Sequence, residues 1–260
     1  MIASLSLQHL YDTNGLVALD ALHGGSKIVF GTLVLTALLE ICSIDTVKNL
    51  WKQHQGKELY WTGVVLNFFN HIVIGIPLYI FAVVFFCRTQ EVEDNNSNSN
   101  SNNKSSYSWL IAAEVLWVVT VHSFLYYKIH KAFHESPHLF QLFHKFHHRY
   151  NAYVPPSSAN SVSVGEYVLA YLVPFLVAVV LRSTSTLSLS IALWIISITN
   201  LLVHTPRLEF YYPSHWLLVS TKDHSDHHRK LKVHYASPTL NIDNLIQYLS
   251  FSQKTKKLQD

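Results

Sequence analysis

Apolar residues along the chain gather into five runs: Ile28–Ile44, Trp61–Cys87, Trp109–Ile129, Tyr167–Leu181 and Leu187–His204. A helix needs about 20 apolar residues to cross a bilayer. The second and third runs meet that length, and the first is slightly short and carries Glu40. The fourth, about 15 residues with Pro174 inside it, reaches only ~22 Å as a helix against a hydrocarbon core of ~30 Å. The last two runs therefore predict a tilted or half-inserted hairpin. Between the second and third lies Asn95–Asn103, which holds only Asn and Ser. Such a tract buries no apolar surface and reads as disordered.

Composition agrees with a membrane protein. Of the 260 residues, 49% are hydrophobic and only 13% charged, about half the charge of a soluble domain. The predicted fold is all-α: a multi-span helical membrane protein with a histidine-rich helical cap on the cytosolic side. The first 108 residues form the N-terminal spans and the Asn/Ser loop, and 109–260 a second, histidine-rich region. Two cysteines, Cys42 and Cys87, exclude a disulfide scaffold and a cysteine-rich metal site. The basic residues flank apolar stretches, so the net charge of +3 does not indicate nucleic acid. Fifteen of the 19 Lys and Arg fall on one side if each run crosses or the last two turn back together. The positive-inside rule assigns that side to the cytosol.

Histidine is as abundant as carboxylate, 17 against 16. Thirteen histidines lie between His122 and His234, most of them in three clusters. The first is His130-x-x-x-His134, the second His144-x-x-His147-His148 and the third His224-x-x-His227-His228. On a helix, residues i and i+4 lie about 40° apart, and i+3 about 60° to the other side. Each cluster thus falls on one helical face, and three such faces can converge on a common point. Pro137 separates the first two helices, and Pro155-Pro156 ends the second. Imidazoles in this number point to metal, and Fe, Zn, Cu and Ni all suit them. Eight ligands exceed the four of a tetrahedral site and suit two ions with open positions.

The stretches "SFLYYKIHKAFH", "LFHKFHHRYN" and "DHSDHHRKLKVHYASPTLNIDNLI" resemble the fatty acid hydroxylase/sterol desaturase superfamily of membrane di-iron enzymes. The resemblance covers roughly Trp109–Leu249. It implies that His130, His134, His144, His147, His148, His224, His227 and His228 are metal ligands and carry the catalysis. It adds His204, just after the hairpin, as a ninth. For a tenth, His215, His138 and His234 are candidates, with His215 ahead because it lies between His204 and the last box. His122 is a candidate for the shell behind the ligands. Asp223 and Asp226 are placed in sequence to hold ligand N–H groups. Ser123, Lys128, Lys131 and His234-Tyr235-Ala236 depart from the common family pattern, which touches the subfamily and not the ligands.

The resemblance implies two non-haem Fe ions and O₂ as co-substrate. The reaction is hydroxylation or desaturation of a sterol or fatty-acyl C–H bond in lipid biosynthesis. With no haem or flavin motif in the chain, electrons come from external NAD(P)H through cytochrome b5 and its reductase. The endoplasmic reticulum is the implied location. Phe133, Phe140, Phe143, Tyr150, Tyr153 and Trp216 are candidates for lining a substrate channel, or for interfacial anchors. Two rival readings are an inactive relative kept as a membrane scaffold and a metal transporter. Intact boxes weigh against the first, and boxes at the ends of the spans against the second.

Overall fold

The computed structural model describes residues 2–88, 102–151, 153–211 and 215–256. Its long helices are α1 (Ile2–Cys42), α3 (Gly56–Phe86), α4 (Asn102–Glu135), α6 (Val164–Leu181) and α7 (Thr186–Val203), with the short α2 (Ile44–Trp51) between the first two. Residues 137–148 form a further short helix, α5. Helices α8 (Thr221–Lys230) and α9 (Ile242–Lys256) follow the last span. No strand occurs among the described residues. Among the described residues five helices are long and apolar enough to cross a membrane, and the protein is an all-α, multi-span membrane protein.

The five runs each become a helix, with different ends. The first helix starts at Ile2 and not near Ile28, because no proline interrupts the first 42 residues. The fourth span starts at Val164, where the Ser163 hydroxyl caps it by accepting from the Glu166 N–H at 3.1 Å. Its 18 residues reach about 27 Å, close to the hydrocarbon thickness. Pro174 does not end it. A proline lacks an N–H and crowds the carbonyl four residues back. Here the turn before it widens into a π-helix over Tyr167–Leu172. Pro77 in α3 has the same companion, the π turn Asn70–Gly75. The tract Asn95–Asn103, expected to be disordered, lies outside the described residues except for Asn102 and Asn103, which open α4.

Packing within the bundle uses small residues, which let helices approach closely where lipid supplies no hydrophobic drive. Ala21, Ala82, Ala178 and Ala192 sit among Tyr79, Val118, Phe175 and Leu189 in the central core. A Cβ at Gly25 meets the Tyr79 ring at 2.9 Å, so α1 lies directly on α3 there. The outer faces present Phe30, Val65, Phe85, Trp109, Leu116 and Leu181, the surface that lipid tails cover. At one end of the bundle Arg88 pairs with the buried Glu114, whose other oxygen accepts from the Ser185 N–H at 2.9 Å. That joins α3, α4 and the α6–α7 turn away from the histidines.

At the opposite end residues 154–162, irregular apart from a short 3₁₀ helix over Pro156–Asn160, are buried throughout. Backbone removed from water must find partners inside the protein. Asn67 donates to the Ser157 carbonyl at 3.0 Å, and Asn70 to those of Asn160 and Val162 at 3.2 and 3.0 Å. Asn200 donates to the Ala159 carbonyl at 3.2 Å, and Glu40 accepts from the Ser157 N–H at 3.0 Å. Replacing Asn70 by Ala strands two of these carbonyls. We expect about 1–3 kcal/mol of destabilisation, read as a lower thermal midpoint in detergent, while Asn49→Ala on exposed α2 leaves the midpoint in place.

Candidate metal centre

The C-termini of α4 and α7, helix α5 and helix α8 meet at the end of the bundle that holds segment 154–162. His130 and His134 occupy the last turns of α4. Ser136 caps α5, its hydroxyl accepting from the Leu139 N–H, and Pro137 fills the first helical position. A π turn over Phe140–His144 then leads into His147 and His148. A capping box between Ser220 and Asp223 starts α8, which carries His224, His227 and His228. His204 is the C-cap of α7.

These nine histidines do not converge on one point. They form two groups: His130, His134, His144, His148 and His227 in one, and His147, His204, His224 and His228 in the other. Within each group the candidate ligand atoms all lie within 4.8 Å of one another. The division follows helix geometry. In α5 the i, i+4 pair His144 and His148 joins the first group and His147 the second. In α8 the roles are exchanged: His224 and His228 join the second group and His227 the first. The i, i+4 pair shares a face, and the residue at i+3 is turned about 100° from the one beside it.

Backbone carbonyls fix the tautomers. The Nδ1 of His130 lies 3.0 Å from the Tyr235 carbonyl, that of His227 2.7 Å from Val233 and that of His204 2.7 Å from Asn200. A carbonyl only accepts, so each Nδ1 carries the proton and each Nε2 is left as a lone pair. The Nδ1 of His144 lies 2.7 Å from a carboxylate oxygen of Glu166, and both side chains are buried. The Nε2 atoms of these and neighbouring rings crowd together: His130 and His144 at 3.0 Å, His144 and His148 at 2.9 Å, His204 and His224 at 2.8 Å, His224 and His228 at 3.1 Å. The Nε2 atoms of His134 and His227 are buried and have no hydrogen-bond partner in the protein.

Burial pushes the pKa of His144, His147, His148, His224, His227 and His228 well below the usual histidine range, and neighbouring imidazoles push it further. For His204, burial lowers it to about 4. The rings are therefore neutral near pH 7, which is the form that ligates metal. Buried lone pairs facing one another cost free energy, and a cation between them removes the cost. Nine nitrogen donors in groups of five and four fit two transition-metal ions.

A linked prediction concerns pH. The unfolded chain protonates His204 below its ordinary 6.5, whereas the folded chain holds it neutral to about 4. The folded state thus carries a stabilising contribution that is complete above pH 6.5 and lost as pH falls toward 4. For His204 alone it is about 3 kcal/mol. Unfolding of metal-free protein in detergent at pH 7.5 and 5 captures about 2 kcal/mol of it, the amount by which His204→Phe reduces the total dependence.

The other expected residues fall elsewhere. His215, expected as the tenth ligand, belongs to neither group. It is exposed, and its Nδ1 accepts from the Leu217 N–H at 3.1 Å. Pro206 turns the chain out of α7 into a short 3₁₀ helix, so closeness to the last box in sequence is not closeness in space. His138 is exposed and His234 half-buried, both outside the groups. His122 is buried two turns below His130, its ring 4.3 Å from that of Phe175. Asp223 serves the α8 capping box, and Asp226 pairs with Lys230 at 3.0 Å.

Among the channel candidates, Phe133 and Phe140 pack against histidine rings of the first group, and Phe143 packs at a tilt against Phe133. Tyr150 and Tyr153 pack with Leu50 and Leu59 away from the histidines, and Trp216 is exposed. Sequence reasoning missed Glu166 and the carbonyls of Val233 and Tyr235. Asp243 supports the latter by accepting from the Ala236 N–H at 2.7 Å.

A sequence model described as fatty acid hydroxylase matches residues 115–248. That stretch includes all nine histidines of the two groups. No curated protein and no solved structure matches the chain.

Proposed function

The chain belongs to the fatty acid hydroxylase family, and from that membership we propose that it is an O₂-dependent oxidoreductase acting on the C–H bond of a membrane lipid. The substrate is a sterol or a fatty-acyl chain, and the outcome is a hydroxyl group or a double bond. The observation that carries this reading is the pair of all-imidazole groups, five and four, at the ends of apolar spans. Two iron ions held by these histidines supply the activation of O₂ and the oxidising power that a C–H bond requires.

The protein's own part is positional. Glu166 and the carbonyls of Tyr235, Val233 and Asn200 hold four rings with Nε2 turned inward, and such outer partners tune ligand basicity. Burial of the rings, with Phe133 and Phe140 against them, keeps water away from the reacting carbon. The spans deliver a lipid to the same level. The cationic side of the chain is the cytosolic one in this proposal, and it suits an acidic electron donor such as cytochrome b5, reduced by an NAD(P)H reductase. Residence in the endoplasmic reticulum belongs to the same proposal.

Expression in cells followed by sterol and fatty-acid profiling tests the function. We expect a new hydroxylated or unsaturated lipid, absent when His147→Ala is expressed instead, and about two irons per purified chain. Metal-free protein together with lipid profiles identical for wild type and His147→Ala refutes the proposal in favour of a membrane scaffold.

A further inference from the structure

A cavity of about 320 Å³ lies inside the bundle between α1, α3, α6 and α7, within the range of pockets that hold small molecules. It follows α3 from His71 to Ala82 and α7 from Leu189 to Asn200, about 16 Å along each helix. No residue of α4 and none of the nine metal-site histidines lines it. It is a separate site from the one described above.

Its walls are apolar, among them Ile28, Leu78, Phe175 and Leu193, and no Lys, Arg, Asp or Glu lines it. A carboxylate or phosphate there has no cation to offset its desolvation. Polar groups gather at the end near segment 154–162. The His71 Nδ1 pairs with the Tyr167 hydroxyl at 3.2 Å, and its buried Nε2 has no partner in the protein. The Asn200 amide donates to the Ala159 carbonyl and the Asn160 side chain, leaving its own oxygen without a partner. An amide oxygen only accepts, and the imidazole nitrogen donates or accepts according to its tautomer. A hydroxyl does both: it donates its one hydrogen to the Asn200 oxygen and accepts from Nε2–H, the tautomer in which the His71 Nδ1 accepts from the Tyr167 hydroxyl.

We propose that this cavity binds a neutral lipid bearing a single hydroxyl, with the hydroxyl at His71 and Asn200 and the apolar body between the spans. The proposal does not depend on the oxidative activity, and its test reads binding alone.

The full chain, purified in detergent, is equilibrated with tritiated cholesterol and, separately, with tritiated 1-hexadecanol. Saturable binding of either supports the site, and whichever binds tells a rigid body from a linear one. The same skeleton without its hydroxyl competes about three- to tenfold more weakly, as loss of one hydrogen-bonded group dictates, and palmitate more weakly than the alcohol. Ala82→Phe, which places a ring in the apolar half, weakens binding at least tenfold. His71→Phe keeps the packing and reduces the preference for the hydroxyl, which is left with Asn200 alone. Retained metal content serves as the folding control, and if Ala82→Phe fails it, His71→Phe decides alone. No saturable binding of either alcohol, tighter binding of palmitate, or an unchanged hydroxyl preference in His71→Phe overturns the proposal.

Discussion

Alanine at His224 is expected to keep the four-histidine group from holding an ion and to abolish the proposed lipid oxidation, while the five-histidine group still takes up metal at saturating concentration. His224 holds the central place in its group, 2.8 Å from His204 and 3.1 Å from His228 between Nε2 atoms. Its loss leaves three ligands on three different helical positions, His147, His204 and His228. A catalytic ion stabilises a transition state by several kcal/mol, so activity falls at least about a thousandfold. Elemental analysis reads about one ion per chain in place of two. His215→Ala is the matched comparison: exposed and outside both groups, it leaves metal content and turnover unchanged. A His224→Ala protein that still carries two ions refutes the division into two centres.

Replacing Glu166 is expected to weaken metal binding about 10- to 100-fold at the five-histidine group alone. Its oxygen lies 2.7 Å from the Nδ1 of His144, and the two side chains are almost wholly buried. Without it, His144 keeps its place in α5 but loses what orients its ring and raises the basicity of its Nε2. Glu166→Gln retains an acceptor without the charge and falls at the mild end. Glu166→Ala leaves a buried N–H unpaired and falls at the severe end. Metal titration of the five-histidine group by itself, in a His224→Ala background, measures the change. Equal weakening of the four-histidine group in a His144→Ala background means that Glu166 acts through general destabilisation and not through His144.

The residues that were legible in the sequence are those whose position follows from local periodicity. The spacings i, i+3 and i+4 placed His144, His147 and His148 on one face, and in the structure all three reach the candidate centre, His144 and His148 in one group and His147 in the other. The same arithmetic holds the division into two centres, since neighbours on a helix point about 100° apart. The expected common point overlooked it. What local pattern does not carry is which distant groups arrive. Glu166 sits in Ser163-Val164-Gly165-Glu166, a sequence that reads as a helix N-terminus. The Ser163 hydroxyl does cap α6, but the carboxylate turns away to His144. Its place at the start of an apolar run was the available signal, because an ionisable group at membrane depth asks for a partner. Asp223 misled in the opposite sense: near the ligands in sequence, it serves the cap of its own helix. The carbonyls of Val233 and Tyr235 belong to irregular backbone, which no side-chain pattern announces.

The paired neighbours His147–His148 and His227–His228 each serve opposite groups. Consecutive Cα atoms are about 3.8 Å apart, so the chain joins the two centres at the scale of a single peptide unit. A helix that rotates to tighten its i, i+4 pair on one ion turns its third histidine relative to the other ion. The first ion to bind would fix the rotation of α5 and α8, and the second would find its donors already ordered. Thermodynamic linkage makes that help mutual. The pair then loads cooperatively: titration of metal-free protein follows a sigmoidal curve, and chains carrying a single ion stay scarce at every point along it.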